Sequence, residues 1–386
     1  LQSPFQLVGD CKSPLLEAEG RTNQGAIFAF AMAFSQVQRD HGRAMQTVRG
    51  LHHVTAIAGP AQENLDFYAG VLGMRLVKRS VNQDDPGTYH LFYADAEGHP
   101  GTDLTFFPWA QMAPSREGYG LSSEVSLAIP PGSLDFWTDR LQSAGVTLAP
   151  AESRFGQPAL PLRDPHGLHV ALVESEDSLS RPFTPWNGSP IPVEKQIRGL
   201  ESARLVERDL VRTTSFLNEA MGFTHLGSEN GWHRYGVGVN GAGLPSGQTG
   251  ANSGAYVDLY EMPTAGRGAW GRGSIHHLAW RVDDEAHQLE VRQRVLEGGS
   301  RPTPVIDRFW FKSVYFPEPG GVLFELATDG PGFAVDEDRE HLGESLVLPP
   351  WLEPERSAIE AALPRLTLPE KSQVPSSKSQ VNSNPQ

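Results

Sequence analysis

Short apolar runs alternate with amphipathic stretches along the chain in an order that recurs four times. Each round opens with a strand-like run and passes through apolar residues at helical spacing. It then closes with three more strand-like runs. The first round runs from LHHVTAIA (51–58) through a helix with Leu65, Tyr68 and Leu72 on one face, stopped by Gly73, to MRLVKRSV, TYHLFYAD and TDLTFFPW. The second opens at LSSEVSLAIP (121–130), carries Leu134, Trp137, Leu141 and Ala144 at helical spacing, and ends with LHVALVES (168–175). The third opens at LESARLVE (200–207), has Phe216, Leu217 and Met221 in its helix, and closes with AYVDLYEM (255–262). The fourth runs from SIHHLAWRV (274–282) through Ala286, Leu289 and Leu296 to FKSVYF and GVLFELAT.

Four βαβββ units predict an α+β fold whose units pair into two partly open barrels, each enclosing a cavity where a site belongs. The expected order is an N-terminal extension (1–49), units one and two (50–174), a proline-rich linker (175–197), units three and four (198–330), a closing segment (331–369) and a polar, disordered tail (370–386).

Composition narrows the partners. The 386 residues carry 46 acidic against 32 basic side chains, a formal charge of −14, and no basic patch that would hold nucleic acid or an anionic membrane. Small neutral or weakly charged ligands fit better. Cys11 is the single cysteine, which excludes an internal disulfide and a thiolate metal cluster. The apolar stretch 26–34 is too short to span a bilayer. A cytoplasmic protein without nucleic-acid or membrane partners is expected, with homo-oligomerisation left open.

Superposing the four units locates the chemistry. The same inward position of the opening strands holds His53, Glu124, Ser202 and His277, and that of the closing strands holds Thr105, Ala171, Asp258 and Glu325. Units one and four alone supply histidines, so His53, His277 and Glu325 form a two-histidine, one-carboxylate set that holds a divalent metal on one face and leaves positions open. Such a set favours Fe(II) or Mn(II), while residue type alone also admits Zn(II) and Ni(II). A lone strand histidine is ordinarily a core residue, but a His-His doublet repeated in two opening strands, with a glutamate inside the apolar run GVLFEL, is costly to bury without a partner. Neighbours in a strand point opposite ways, so His52 and His276 do not duplicate His53 and His277 unless a bulge turns them. Asp258, beside Glu124 and Ser202, reads as a satisfied carboxylate in a degenerate second pocket. This pairing joins unit one to unit four and unit two to unit three.

Near the metal set, Arg308 can bind an anionic substrate oxygen and Tyr315 can donate a hydrogen bond or proton. Both also read as a solvated charge and a plain strand aromatic. Phe309, Trp310 and Phe311 suit either an aromatic pocket or a barrel core. Thr55 shares the face of His53 and can orient a ligand.

These motifs resemble the vicinal-oxygen-chelate superfamily of glyoxalases and extradiol dioxygenases, and over about residues 50–366 the ring-cleaving dioxygenases of the hydroquinone 1,2-dioxygenase type. The stretches that carry the resemblance are GLHHVTAIAGPAQENLDFYAGVLGM, GSIHHLAWRV, FKSVYFPEPGGVLFELATDGPGF and the late LPPWLEPER. It implies Fe(II) on His53, His277 and Glu325, with Thr55, His276, Arg308 and Tyr315 as catalytic residues around it, His276 or Tyr315 managing protons and Arg308 steadying a negative oxygen. It further implies that O2 is inserted into the ring of a hydroquinone-type diol held through one hydroxyl. The N-terminal 49 residues depart from relatives that begin almost at the HH motif. Two other readings remain. A glyoxalase-like lyase or isomerase needs a carboxylate base where unit one has Thr105. A protein that sequesters an aromatic compound binds its ligand without consuming oxygen.

Overall fold

The computed structural model describes residues 46–238 and 254–368. Cys11, the apolar stretch 26–34 and the expected tail from residue 370 lie outside the described residues. Unit one comprises β1 (Leu51–Ala58), α1 (Ala61–Leu65, continued by a π-helical turn, Asp66–Val71), β2 (Arg75–Asn82), β3 (Asp85–Ala94) and β4 (Asp103–Pro108). Unit two comprises β5 (Leu121–Ile129), α2 (Leu134–Ser143), β6 (Glu152–Arg154), β7 (Gln157–Arg163) and β8 (His169–Glu174). Unit three has β9 (Gly199–Glu207), α3 (Leu210–Phe216, with a π-helical turn over Leu217–Met221), β10 (Thr224–Glu229), β11 (Trp232–Gly236) and β12 (Tyr256–Glu261). Unit four has β13 (Ile275–Val282), α4 (Glu285–Glu297), β14 (Ile306–Asp307), β15 (Lys312–Pro317) and β16 (Leu323–Thr328), and α5 (Arg356–Ala362) follows.

The strands form two eight-stranded curled sheets. One runs β14-β15-β16-β13-β1-β4-β3-β2, joining units four and one, and the other β10-β11-β12-β9-β5-β8-β7-β6, joining units three and two. Each sheet is stitched at its centre by antiparallel opening strands, β1 with β13 and β5 with β9. All eight residues of β1 are buried, so the strand reads as a nearly continuous apolar run interrupted by its histidines. Gly73 ends the first helix at φ +71°, and a Cβ there would stand 2.3 Å from Ile191, so only glycine fits.

Residues 46–49, within the expected extension, pack against this body. Val48 is fully buried, its N–H donating to Met221, and the Arg49 guanidinium donates to Asp283 at 2.9 Å. Between β8 and β9 the chain runs through two short 3-10 turns, and Arg181 there pairs with the buried Glu201 at 2.7 Å. Beyond β16, the buried Lys78 ammonium donates to the Phe333 carbonyl and the Asp336 carboxylate, fastening that segment to β2.

The helix of unit four corrects the sequence expectation. Ala286, Leu289 and Leu296 are exposed, and the buried face carries His287, Gln288, Val291 and Val295. Gln288 sits there with its amide NH2 donating to the carbonyls of Lys312 and Leu326, which satisfies those donors inside the core. Ala144 of unit two is likewise exposed, at the C-terminal end of α2.

Glu207 at the end of β9 and Glu318 after β15 form a buried carboxyl pair. Glu318 accepts from the Thr213 hydroxyl and the N–H groups of Gly320 and Val322, whereas neither oxygen of Glu207 has a donor among the described residues. Burial, reinforced by Glu318, pushes Glu207 up to about 9. The native carboxyl then stays protonated where the unfolded chain ionises, so its effect on stability is harmless near pH 4.5 and grows as pH rises toward 9. Glu207→Gln is expected to raise the melting temperature by more than about 2 °C at pH 8 and to leave it nearly unchanged at pH 4.5. Thermal unfolding followed by circular dichroism at the two pH values checks this.

Candidate metal centre

The antiparallel pairing of β1 and β13 sets His53 opposite Ala279 and Thr55 opposite His277. The register slips once on each strand, leaving His52 and His276 as the extra residues of two β-bulges. β16 lies parallel to β13 with Glu325 beside Ala279, and β4 lies parallel to β1 with Thr105 beside Thr55. The two halves are therefore related by an approximate twofold, with Thr105 as the mate of Glu325.

Three side chains converge across this seam. His53 Nε2 and His277 Nε2 are 3.3 Å apart, and Glu325 Oε2 is 3.4 Å from the first and 3.0 Å from the second. Donor atoms sharing one face around an octahedral ion at about 2.1 Å stand about 3.0 Å apart, so the spacing fits a divalent metal. All three side chains are buried, and Oε2 has no hydrogen-bond donor among the described residues. Burial pushes the Glu325 carboxyl up, but His53 and His277 outweigh it and hold the group well below its usual range. His277 is itself lowered by burial, and so is offered as a neutral ligand. The donor set suits Fe(II), and Mn(II) as well. Among the described residues no other group of three such side chains comes together in this way.

The neighbouring residues orient the three. Ser313 Oγ donates to Glu325 Oε1 at 2.5 Å, which leaves Oε2 turned to the histidines. His53 Nδ1 lies 3.0 Å from His52 Nδ1, and His277 Nδ1 lies 2.8 Å from His276 Nδ1. With each inner histidine donating from Nδ1 to its bulged neighbour, both Nε2 lone pairs face the ion. His276 is lowered to about 3 by burial and by His277, and stacks on Trp270 at 4.6 Å. The doublets thus combine a ligand with the group that sets its tautomer, a role the sequence did not reveal for His52.

A cavity of about 40 Å³ adjoins the cluster, lined by His53, His277, Arg308, Tyr315, His90 and the aromatic rings of Phe92, Phe107, Trp310 and Phe311. A dry cavity of about 150 Å³ takes a benzene ring, so an aromatic guest requires these walls to part. Phe309 turns away at φ +73° toward Trp351, while Trp310 and Phe311 turn inward.

Tyr315 pairs with Glu325 across β15 and β16, its ring 5.6 Å from that of His277. Burial, then Glu325, raises its hydroxyl above the ordinary tyrosine range. Arg308 stands over the Tyr315 ring at 5.4 Å and donates to both Asp84 oxygens, at 2.9 and 3.3 Å. Burial opposes its charge, but Tyr315 and Asp84 outweigh burial and raise it. The structure therefore gathers His53, His277, Arg308 and Tyr315 at one cavity, with Glu325 fully buried beside the two histidines. It sets Thr55 against Thr105 beside them, and places His276 behind His277. Sequence reasoning missed His90, Ser313 and Asp84, which are single polar residues without a motif.

The second barrel repeats the geometry without the chemistry. Asp258 takes two hydrogen bonds from the Arg234 guanidinium, and Glu124 is bound by Arg154. Guanidinium charge stands there where the first barrel has room for a metal.

The profile of the Glyoxalase/Bleomycin resistance protein/Dioxygenase superfamily matches residues 50–172. MhqO of Bacillus subtilis (strain 168), provisionally named a ring-cleaving dioxygenase, is 41% identical over 314 residues, covering 81% of this chain and 95% of MhqO. The chlorohydroquinone/hydroquinone 1,2-dioxygenase of Sphingobium indicum is 33% identical over 314 residues, covering 80% of this chain and 94% of that enzyme. A crystal structure of a provisionally assigned dioxygenase from Bacillus subtilis superposes with a TM-score of 0.75 at 40% identity, covering 84% of this chain and 99% of the other. With the buried His53, His277 and Glu325 cluster set in paired βαβββ units, this chain belongs to the ring-cleaving dioxygenases of the glyoxalase and dioxygenase superfamily.

Proposed function

We propose that the protein is an Fe(II)-dependent ring-cleaving dioxygenase that inserts O2 into hydroquinone-type aromatic diols in the cytoplasm. The observation that carries this reading is the buried two-histidine, one-carboxylate face opening onto a cavity walled by aromatic rings. His53, His277 and Glu325 would hold the iron, which when bound would supply Lewis-acidic, redox-active chemistry toward the diol and O2. The similarity to a hydroquinone dioxygenase supports the para-diol as substrate class.

The remaining residues divide the work. Phe92, Phe107, Trp310 and Phe311 grip the ring and keep water out. Tyr315 keeps its proton at neutral pH and donates a hydrogen bond to a substrate oxygen. Arg308 presents positive charge to an anionic oxygen when a ligand draws it from Asp84. His276 and Thr55 act through their neighbours: His276 fixes the tautomer of His277, and Thr55 bonds Thr105 at 2.8 Å. A lyase or isomerase base has no counterpart here, because the mate of Glu325 is the hydroxyl of Thr105.

Protein loaded anaerobically with Fe(II) is expected to consume O2 with hydroquinones, and His53→Ala and Glu325→Ala to lose both iron and uptake. Full iron with no uptake for any hydroquinone or catechol contradicts the reading. Ser313→Ala, which frees Glu325 Oε1, is expected to weaken iron binding about 10- to 100-fold in chelator competition. Tyr315→Phe is expected to keep its iron while kcat falls about a hundredfold in the oxygen-electrode assay.

A further inference from the structure

The approximate twofold that relates Thr105 to Glu325 also relates His90 to Ser313. Phe92 faces Thr105 across β3 and β4 as Tyr315 faces Glu325 across β15 and β16, and His90 and Ser313 each lie two residues earlier. Ser313 bonds its carboxylate at 2.5 Å, and His90 Nε2 lies 2.9 Å from the Thr105 hydroxyl. On the unit-one side of the metal cluster a hydroxyl braced by an imidazole thus stands where unit four has a carboxylate braced by a hydroxyl.

The bonding of this chain sets the tautomer of His90. Thr55 Oγ1 and Thr105 Oγ1 are 2.8 Å apart, and Thr105 alone reaches the imidazole. Both hydroxyl protons find an acceptor within the chain when Thr55 donates to Thr105 and Thr105 donates to His90 Nε2. The ring proton then sits on Nδ1, which has no hydrogen-bond partner among the described residues, on a side chain that lines the cavity. The ring packs at a tilt against Phe92 and Phe107, with centroids 3.9 and 4.5 Å away and planes inclined by 36° and 50°. A neutral donor fixed in a wall of aromatic rings is suited to one ligand chemistry, an oxygen carried on an aromatic ring.

We propose that His90 is a further substrate-contacting residue, whose Nδ1–H donates to a ring oxygen of the bound diol, and that Thr105 and Thr55 are its positioning residues. The proposal rests on the ring-cleaving reading above. It assigns recognition to the wall opposite Tyr315, so that the substrate is held by donors from both halves of the barrel.

Anaerobic titration of the iron-loaded protein with hydroquinone, followed through tryptophan fluorescence, tests it without turnover. His90→Phe is expected to keep its iron and to bind hydroquinone about tenfold more weakly, while His90→Gln, which retains a donor, stays within about threefold of wild type. Thr105→Val is expected to match His90→Phe, and the double variant to lose nothing more, because the residues act as one chain. Hydroquinone binding by iron-loaded His90→Phe within about twofold of wild type overturns the role of His90 and leaves ring cleavage standing. Losses that add in the double variant also overturn it. Iron-loaded wild type that binds no hydroquinone removes the ring-cleaving reading and the proposal together.

Discussion

β1 and β13 run antiparallel down the middle of one curled sheet, and their pairing brings together residues from opposite ends of the folded chain. His53 and His277 meet there at 3.3 Å although they belong to the first and fourth units. The bulge in each strand gives the doublet its use: one histidine faces inward and its neighbour remains near enough to bond it from behind. A slip of one residue in this register would turn the inner histidines to the other face of the sheet, so the register is as necessary to the site as the ligands are.

Charge explains why one barrel is a site and the other is not. A carboxylate as deeply buried as Glu325 or Asp258 needs a compensating cation. Asp258 has the Arg234 guanidinium, on the strand position that Tyr315 occupies in the first barrel. Among the described residues Glu325 has only a serine hydroxyl and two imidazoles, an arrangement that leaves an oxygen without a donor and room for a divalent ion. Two copies of one architecture have thus settled the same electrostatic requirement in different ways, one permanently and one by leaving a position for a metal.

The features visible in the sequence are those that repeat. The His-His doublets, the four unit openings and the lone glutamate in an apolar strand each stand out against a repeated background, and they place the two-sheet pairing and the cluster. The buried face of α4 is hidden because the polar His287 and Gln288 occupy core positions, held by the Asp283 N–H on His287 Nδ1 and by the Lys312 and Leu326 carbonyls on the Gln288 amide, so the apolar pattern points to the exposed side. Ser313 and His90 are visible only once strand pairing brings them diagonally within hydrogen-bond reach of Glu325 and Thr105. The Asp84 grip on Arg308 joins the β2–β3 turn to the loop before β15, a contact between distant turns that no local periodicity encodes.

The central claim is that residues from two opening strands and one closing strand form a single metal position. Anomalous diffraction at the iron edge, from crystals loaded with Fe(II) under anaerobic conditions, tests it most directly. The account predicts one strong peak within bonding distance of His53 Nε2, His277 Nε2 and Glu325 Oε2, and none between Glu124 and Asp258. A fully loaded crystal with its iron elsewhere, or bound without Glu325, would contradict it.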